Sequence, residues 1–147
     1  RASGGRRPDA LAAPADKVYG LLAHPSLWWN GAHSYSGNAA KLSLEAVAGG
    51  CFCEALPGGG SVQHARVIFA APGKLLRLSG AFGPLQAEAV TGTLTFKLDA
   101  QTSGTVVTMS YVVGGYVRGG AAKLAAPVDA VMGEQIEGLK KAAETAR

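Results

Sequence analysis

The sequence predicts an α+β domain in which a curved antiparallel sheet is crossed by one long C-terminal helix. Three observations lead there. Between residues 41 and 113, short apolar and β-branched segments are separated by Gly- and Pro-containing turns at intervals of about ten residues, the spacing of a meander or barrel-like sheet. After Gly119-Gly120 the period changes. Leu124, Val128, Val131, Met132, Ile136, Leu139 and Ala143 recur at steps of three and four, one face of a helix. Composition agrees: 16% charged residues and 21 glycines suit a turn-rich sheet protein better than a helical bundle.

The elements follow in order. Residues 1–9 read as a flexible tail, and residues 10–147 as a single domain. Residues 10–13 are the end of a short edge strand. Pro14 opens a helix at its first position, where its missing N–H is not needed, and Asp16 complements the helix dipole. Val18, Leu21 and Leu22 form its buried side, and His24-Pro25 breaks it. Residues 26–29 are a second short helical turn. Strands are predicted at residues 41–47, 51–56, 62–70, 75–82, 87–98 and 105–113. The long helix then has one place to put its apolar stripe, the concave side of the sheet. Where sheet and helix do not meet, the gap is a ligand cavity.

At 147 residues, roughly 68–70% of the unfolded surface is buried on folding, so neither a disulfide nor a metal is required for stability. The net charge of +4 is scattered along the chain, with Arg6 and Arg7 in the Gly-rich tail, which argues against a nucleic-acid-binding face. No stretch approaches the ~18–20 apolar residues of a membrane span. The sequence begins at Arg1 rather than Met. Removal of a leader would place the protein in the periplasm or outside the cell, and otherwise it is cytoplasmic. No nucleophile elbow, phosphate-binding loop, zinc-protease helix or dinucleotide fingerprint is present, and no cofactor or metal is expected.

Specific residues add a resemblance. Residues 13–19 (Ala-Pro-Ala-Asp-Lys-Val-Tyr), Trp28-Trp29, Gly49-Gly50 and residues 71–78 (Ala-Pro-Gly-Lys-Leu-Leu-Arg-Leu) are similar to the corresponding stretches of the START-like superfamily, also called SRPBCC. The match is to its polyketide-cyclase-like and heat-shock ATPase-activator-like members. Residues 33–37, 49–54, His64 and 83–86 resemble a bacterial subgroup of unknown function, whose members often carry an export signal. The resemblance implies the helix-grip fold. It leaves function open, because the superfamily holds lipid carriers, hormone receptors, cyclases, hydrolases and co-chaperones.

The residues that could carry chemistry are few. Cys51 and Cys53 lie two apart on a strand and so point to one face, with Glu54 on the other. Three readings stand side by side: two small core thiols, an oxidised pair, or metal ligands together with His33 or His64. His64 and Arg66 share a strand face; facing inward, His64 would orient an anionic or carbonyl-bearing ligand and Arg66 would pair with a carboxylate. Facing neighbouring strands, the two would be structural. Trp28, Trp29, His33 and Tyr35 border a cavity mouth, or plug the end of the sheet. Tyr111, Tyr116, Gln86 and Met132 complete the candidates.

The expected ligand site is therefore Trp29, His33, Tyr35, Cys51, Cys53, His64, Arg66, Gln86, Tyr111, Tyr116 and Met132, taking a hydrophobic, lipid-like or polycyclic small molecule. The alternatives are a cyclase- or hydrolase-type enzyme with His64 and Tyr35 as catalytic candidates, and a co-chaperone-like interaction domain with a filled core.

Overall fold

The structure is a computed structural model that describes the backbone of residues 2–145 and the side chains of residues 8–145. Arg1 and the side chains of Arg6 and Arg7 fall outside it. Among the described residues seven strands form one antiparallel sheet: β1 (Ala2–Leu11), β2 (Leu42–Leu44), β3 (Cys51–Ala55), β4 (Ser61–Ala71), β5 (Leu75–Ser79), β6 (Ala89–Gln101) and β7 (Gly104–Tyr116). Their order across the sheet is β1-β7-β6-β5-β4-β3-β2, so every neighbour except β1 is also next in sequence. Helix α1 (Ala15–Leu22) and three short helical turns lie between β1 and β2, and helix α2 (Ala122–Thr145) closes the chain. This is the helix-grip architecture: a curled sheet holding a long C-terminal helix against its concave face.

The sheet is longer at its N-terminal edge than the sequence suggests. Residues 2–9, read as a tail, lie in β1, which pairs with β7 from Ala2↔Gly114 to Leu11↔Thr105. Their Gly- and Arg-rich composition carries no strand pattern. The pairing is supplied by the long edge of β7, whose backbone groups need partners. Pro14 stands one position earlier than expected, as the N-cap of α1, and its carbonyl accepts the first helical bond from Val18 N–H at 3.1 Å.

The core lies between the sheet and the two helices. Leu76, Leu78, Leu94, Phe96, Val107 and Met109 come from the inner face, and Val18 and Leu22 from α1. Of the α2 stripe, Ile136, Leu139 and Ala143 are fully buried, whereas Leu124, Val128 and Met132 are only partly so. The C-terminal half of α2 therefore seals one end of the domain. Its N-terminal half, which contains Pro127, stands away from the sheet. Trp28 plugs the sealed end: it is buried, donates from its indole N–H to the Leu21 carbonyl at 2.6 Å, and meets Phe96 edge-on. No helix among the described residues is long and apolar enough to cross a membrane.

Candidate functional site

Where α2 stands away from the sheet there is a cavity of about 370 Å³. The helix contributes Pro127, Val128, Val131, Met132 and Gln135 to its lining. Leu94, Met109 and Tyr111 come from β6 and β7, and His64 from β4. The remaining walls are two loops, one with Trp29, His33, Ser34 and Tyr35, the other with Phe82, Gly83 and Pro84.

Local irregularities in the sheet aim His64 inward. The β3–β4 register slips between Phe52 and Cys53, because Phe52 pairs with Ala65 and Cys53 with Gln63. His64 is the extra residue of this bulge, so it and Ala65 are both buried, and strand alternation is broken at that point. On β3 the alternation holds: Phe52 and Glu54 are buried, while Cys51 and Cys53 are only partly so.

Glu54 and His64 form a buried pair. The carboxylate is 1% exposed and the imidazole 8%, and Nε2 of His64 lies 2.7 Å from Oε1 of Glu54. Glu54 also accepts from the backbone N–H of Tyr35 at 3.2 Å and of Ser36 at 2.6 Å. Burial pushes its carboxyl pKa up, but the hydrogen bonds from Ser36, His64 and Tyr35 outweigh burial and hold it at about 2, below the usual 4.5. The group is therefore an anion and can only accept. Nε2 of His64 must carry the hydrogen between them, and in the neutral ring Nδ1 is an acceptor. Among the described residues Nδ1 has no hydrogen-bond partner.

Aromatic rings hold this pair in place. The His64 ring is stacked between Tyr35 (centroids 5.7 Å apart, planes 15°) and Phe82 (6.5 Å, 9°). Tyr35 donates its hydroxyl to the Gly83 carbonyl at 3.1 Å, and Phe82 packs edge-on against Tyr111. Tyr111 donates to the Gly80 carbonyl at 2.9 Å and accepts from Phe82 N–H at 3.1 Å. Burial raises the Tyr111 pKa, which keeps that hydroxyl protonated in this role. On the helix side, Asn30 N–H donates to Gln135 Oε1 at 2.9 Å, and His33 Nε2 lies 3.1 Å from Glu134. The loop that forms one wall is thereby fastened to both the sheet and α2.

Six of the residues singled out in the sequence line this cavity: Trp29, His33, Tyr35, His64, Tyr111 and Met132. The other five do not. Cys51 and Cys53 occupy the opposite face of β3 from Phe52 and are joined to each other in a disulfide, with Cα atoms 5.5 Å apart. Among the described residues no cluster of three or more His, Cys, Asp or Glu could hold a metal. Arg66 is exposed and bonded to the Gly49 carbonyl and the Gln63 side chain, because the bulge at His64 reverses the alternation that would have put both on one face. Gln86 is exposed beyond the short helical turn at Gly83–Leu85, and Tyr116, at the end of β7, is 67% exposed.

Sequence reasoning missed Glu54, Phe82 and Gln135. Two signals were present. Phe52 between two cysteines marks the inner face of β3, and so places Glu54 inside. Gln135 sits at helical spacing from Met132 and Leu139, within the apolar stripe.

No known protein-family profile matches the chain, and no curated protein matches it by sequence. Solved structures do match. An uncharacterized protein from Rhizobium leguminosarum superposes with a TM-score of 0.66 at 18% identity, over 97% of this chain and 95% of that one. The Aha1 dimer from Colwellia psychrerythraea gives 0.67 at 16% identity, over 99% and 98%. The di-domain ARO/CYC StfQ of the steffimycin biosynthetic pathway gives 0.66 at 14% identity, over 97% of this chain and 50% of that one. The chain thus spans about half of StfQ. At such identities these likenesses establish the helix-grip fold and leave activity undetermined.

Proposed function

We propose that this protein binds a hydrophobic small molecule, lipid-like or polycyclic, in the cavity between the sheet and the N-terminal half of α2. One observation carries the reading. A space of about 370 Å³ with mostly apolar walls contains one buried imidazole, His64, oriented by a buried carboxylate. An apolar cavity of that size supplies affinity by burial, about 2.5 kcal/mol per 100 Å² of ligand surface, and one polar group supplies orientation. The resemblance to ligand-carrying START-like proteins supports the same reading. The co-chaperone-like alternative shares the fold-level likeness but expects a filled core, and the space beneath α2 speaks against it.

The experiment is native mass spectrometry of protein purified from its own source. A stoichiometric apolar molecule that leaves on denaturation is the expected result. A bare mass, together with unchanged Trp29 fluorescence on titration with naphthalene-type probes, would sink the reading.

A second reading is favoured by the Glu54–His64 pair itself. A carboxylate that fixes the tautomer of an imidazole leaves Nδ1 as a general base, and the domain would then be an enzyme of cyclase or hydrolase type. His64→Ala separates the two. Turnover lost with affinity kept marks the enzyme; affinity lost with no turnover of any bound compound marks the carrier.

A further inference from the structure

Gln135 is 1% exposed, yet half of its amide is unused. Its Oε1 accepts from the backbone N–H of Asn30, which can only donate, so the orientation of the amide is fixed. Nε2 is then a buried NH₂ group with no acceptor among the described residues. Buried donors in native proteins nearly always find a partner, so an orphan on a cavity-lining residue points to an absent molecule. His64 presents the complementary case on the opposite wall, where Nδ1 has no partner among the described residues and in the neutral ring is an acceptor. The charge of the lining is equally informative. Among the described residues no lysine or arginine contributes to it. The second imidazole, His33, is engaged by Glu134, and Arg66 lies outside. Among the described residues a carboxylate ligand would find no lysine or arginine as counter-ion in this apolar space, and the Glu54 anion lies close behind His64.

We propose that the occupant is uncharged and is read at two points: a hydroxyl donates to Nδ1 of His64, and a carbonyl-type oxygen accepts from Nε2 of Gln135. This rests on the binding reading above and narrows it. Hydroxy-ketones and similar neutral, oxygen-bearing apolar molecules fit, and fatty acids and other apolar carboxylates do not.

The test uses four naphthalenes of one shape: naphthalene, 2-naphthol, methyl 2-naphthyl ketone and 2-naphthoate. Each is titrated calorimetrically into the wild-type protein, His64→Phe and Gln135→Leu. In the wild type, the naphthol and the ketone bind roughly five- to tenfold more tightly than naphthalene, the scale of one net hydrogen bond, and naphthoate binds most weakly. His64→Phe removes the advantage of the naphthol alone, and Gln135→Leu that of the ketone alone. Because Gln135→Leu also removes the acceptor for Asn30 N–H, Gln135→Glu serves as a second variant. It keeps that acceptor and replaces the NH₂ donor, so it too loses the ketone's advantage. Naphthoate binding most tightly, polar probes binding no better than naphthalene, or losses shared by both variants would overturn the inference while leaving the cavity a binding site. Failure of all four to bind would overturn the binding reading as well.

Discussion

Glu54 is buried, and what keeps it charged there is three hydrogen bonds to its two oxygens, from Tyr35 N–H, Ser36 N–H and His64 Nε2. Its depressed pKa is a statement about stability. A carboxyl whose folded pKa lies below its unfolded value stabilises the fold above the unfolded pKa, and that stabilisation is lost as pH falls through the folded one. With the usual value of 4.5 and the folded value at about 2, the window runs between those two limits. The contribution at neutral pH is on the order of 3 kcal/mol. Glu54→Gln is therefore expected to lower stability at pH 7 by about that amount and to flatten the fall between pH 4.5 and 2, measured by urea unfolding at stepped pH. Equal slopes in variant and wild type would contradict the role given to Glu54. At this scale the sequence was half legible. The identity of His64 made it a candidate. Its partner lay ten positions away on another strand, and only the bulge between β3 and β4 brings the two together.

The elements themselves were mostly visible. Alternation in the strands and the three–four stripe of α2 are local consequences of backbone geometry. The positions at which elements touch were not. Gly138 shows why. A Cβ at that position would collide with the backbone carbonyl of Trp28, so the glycine lets α2 approach the loop that carries Trp28 and Trp29. Helix propensity alone favours alanine there by about 1 kcal/mol. Gly138→Ala is nevertheless expected to destabilise the protein, by about 2 kcal/mol, because the obstacle is backbone rather than a flexible side chain. Thermal unfolding decides it, and an alanine variant as stable as the wild type would refute the close approach. The N-terminal strand is the converse case. Its composition reads as a tail, and its order comes from the free edge of β7.

For the whole molecule, the question is why a helix with a continuous apolar stripe leaves a space beneath it. The sealed half of α2 is held by Ile136, Leu139, Ala143 and the Trp28 plug. Toward Pro127 the curved sheet falls away, and Val128, Val131 and Met132 reach the cavity without filling it. Met132→Trp is expected to occupy that space, leave thermal stability within about 1 kcal/mol of wild type, and weaken 2-naphthol binding at least tenfold. Unchanged affinity in a folded variant would place the binding site elsewhere. The sequence alone determined the α+β class, the succession of six strands and the single long helix, since each follows from residue periodicity within a segment, and its motifs added the resemblance that implies the helix-grip fold. Which side chains meet was decided only in three dimensions. A one-residue bulge turned His64 inward and Arg66 outward, and strand pairing set Glu54 behind the imidazole. The divergence of a straight rod from a bent sheet left Gln135 buried without an acceptor. Those outcomes depend on contacts between residues far apart in sequence, where one slip in register reverses the facing of a whole strand.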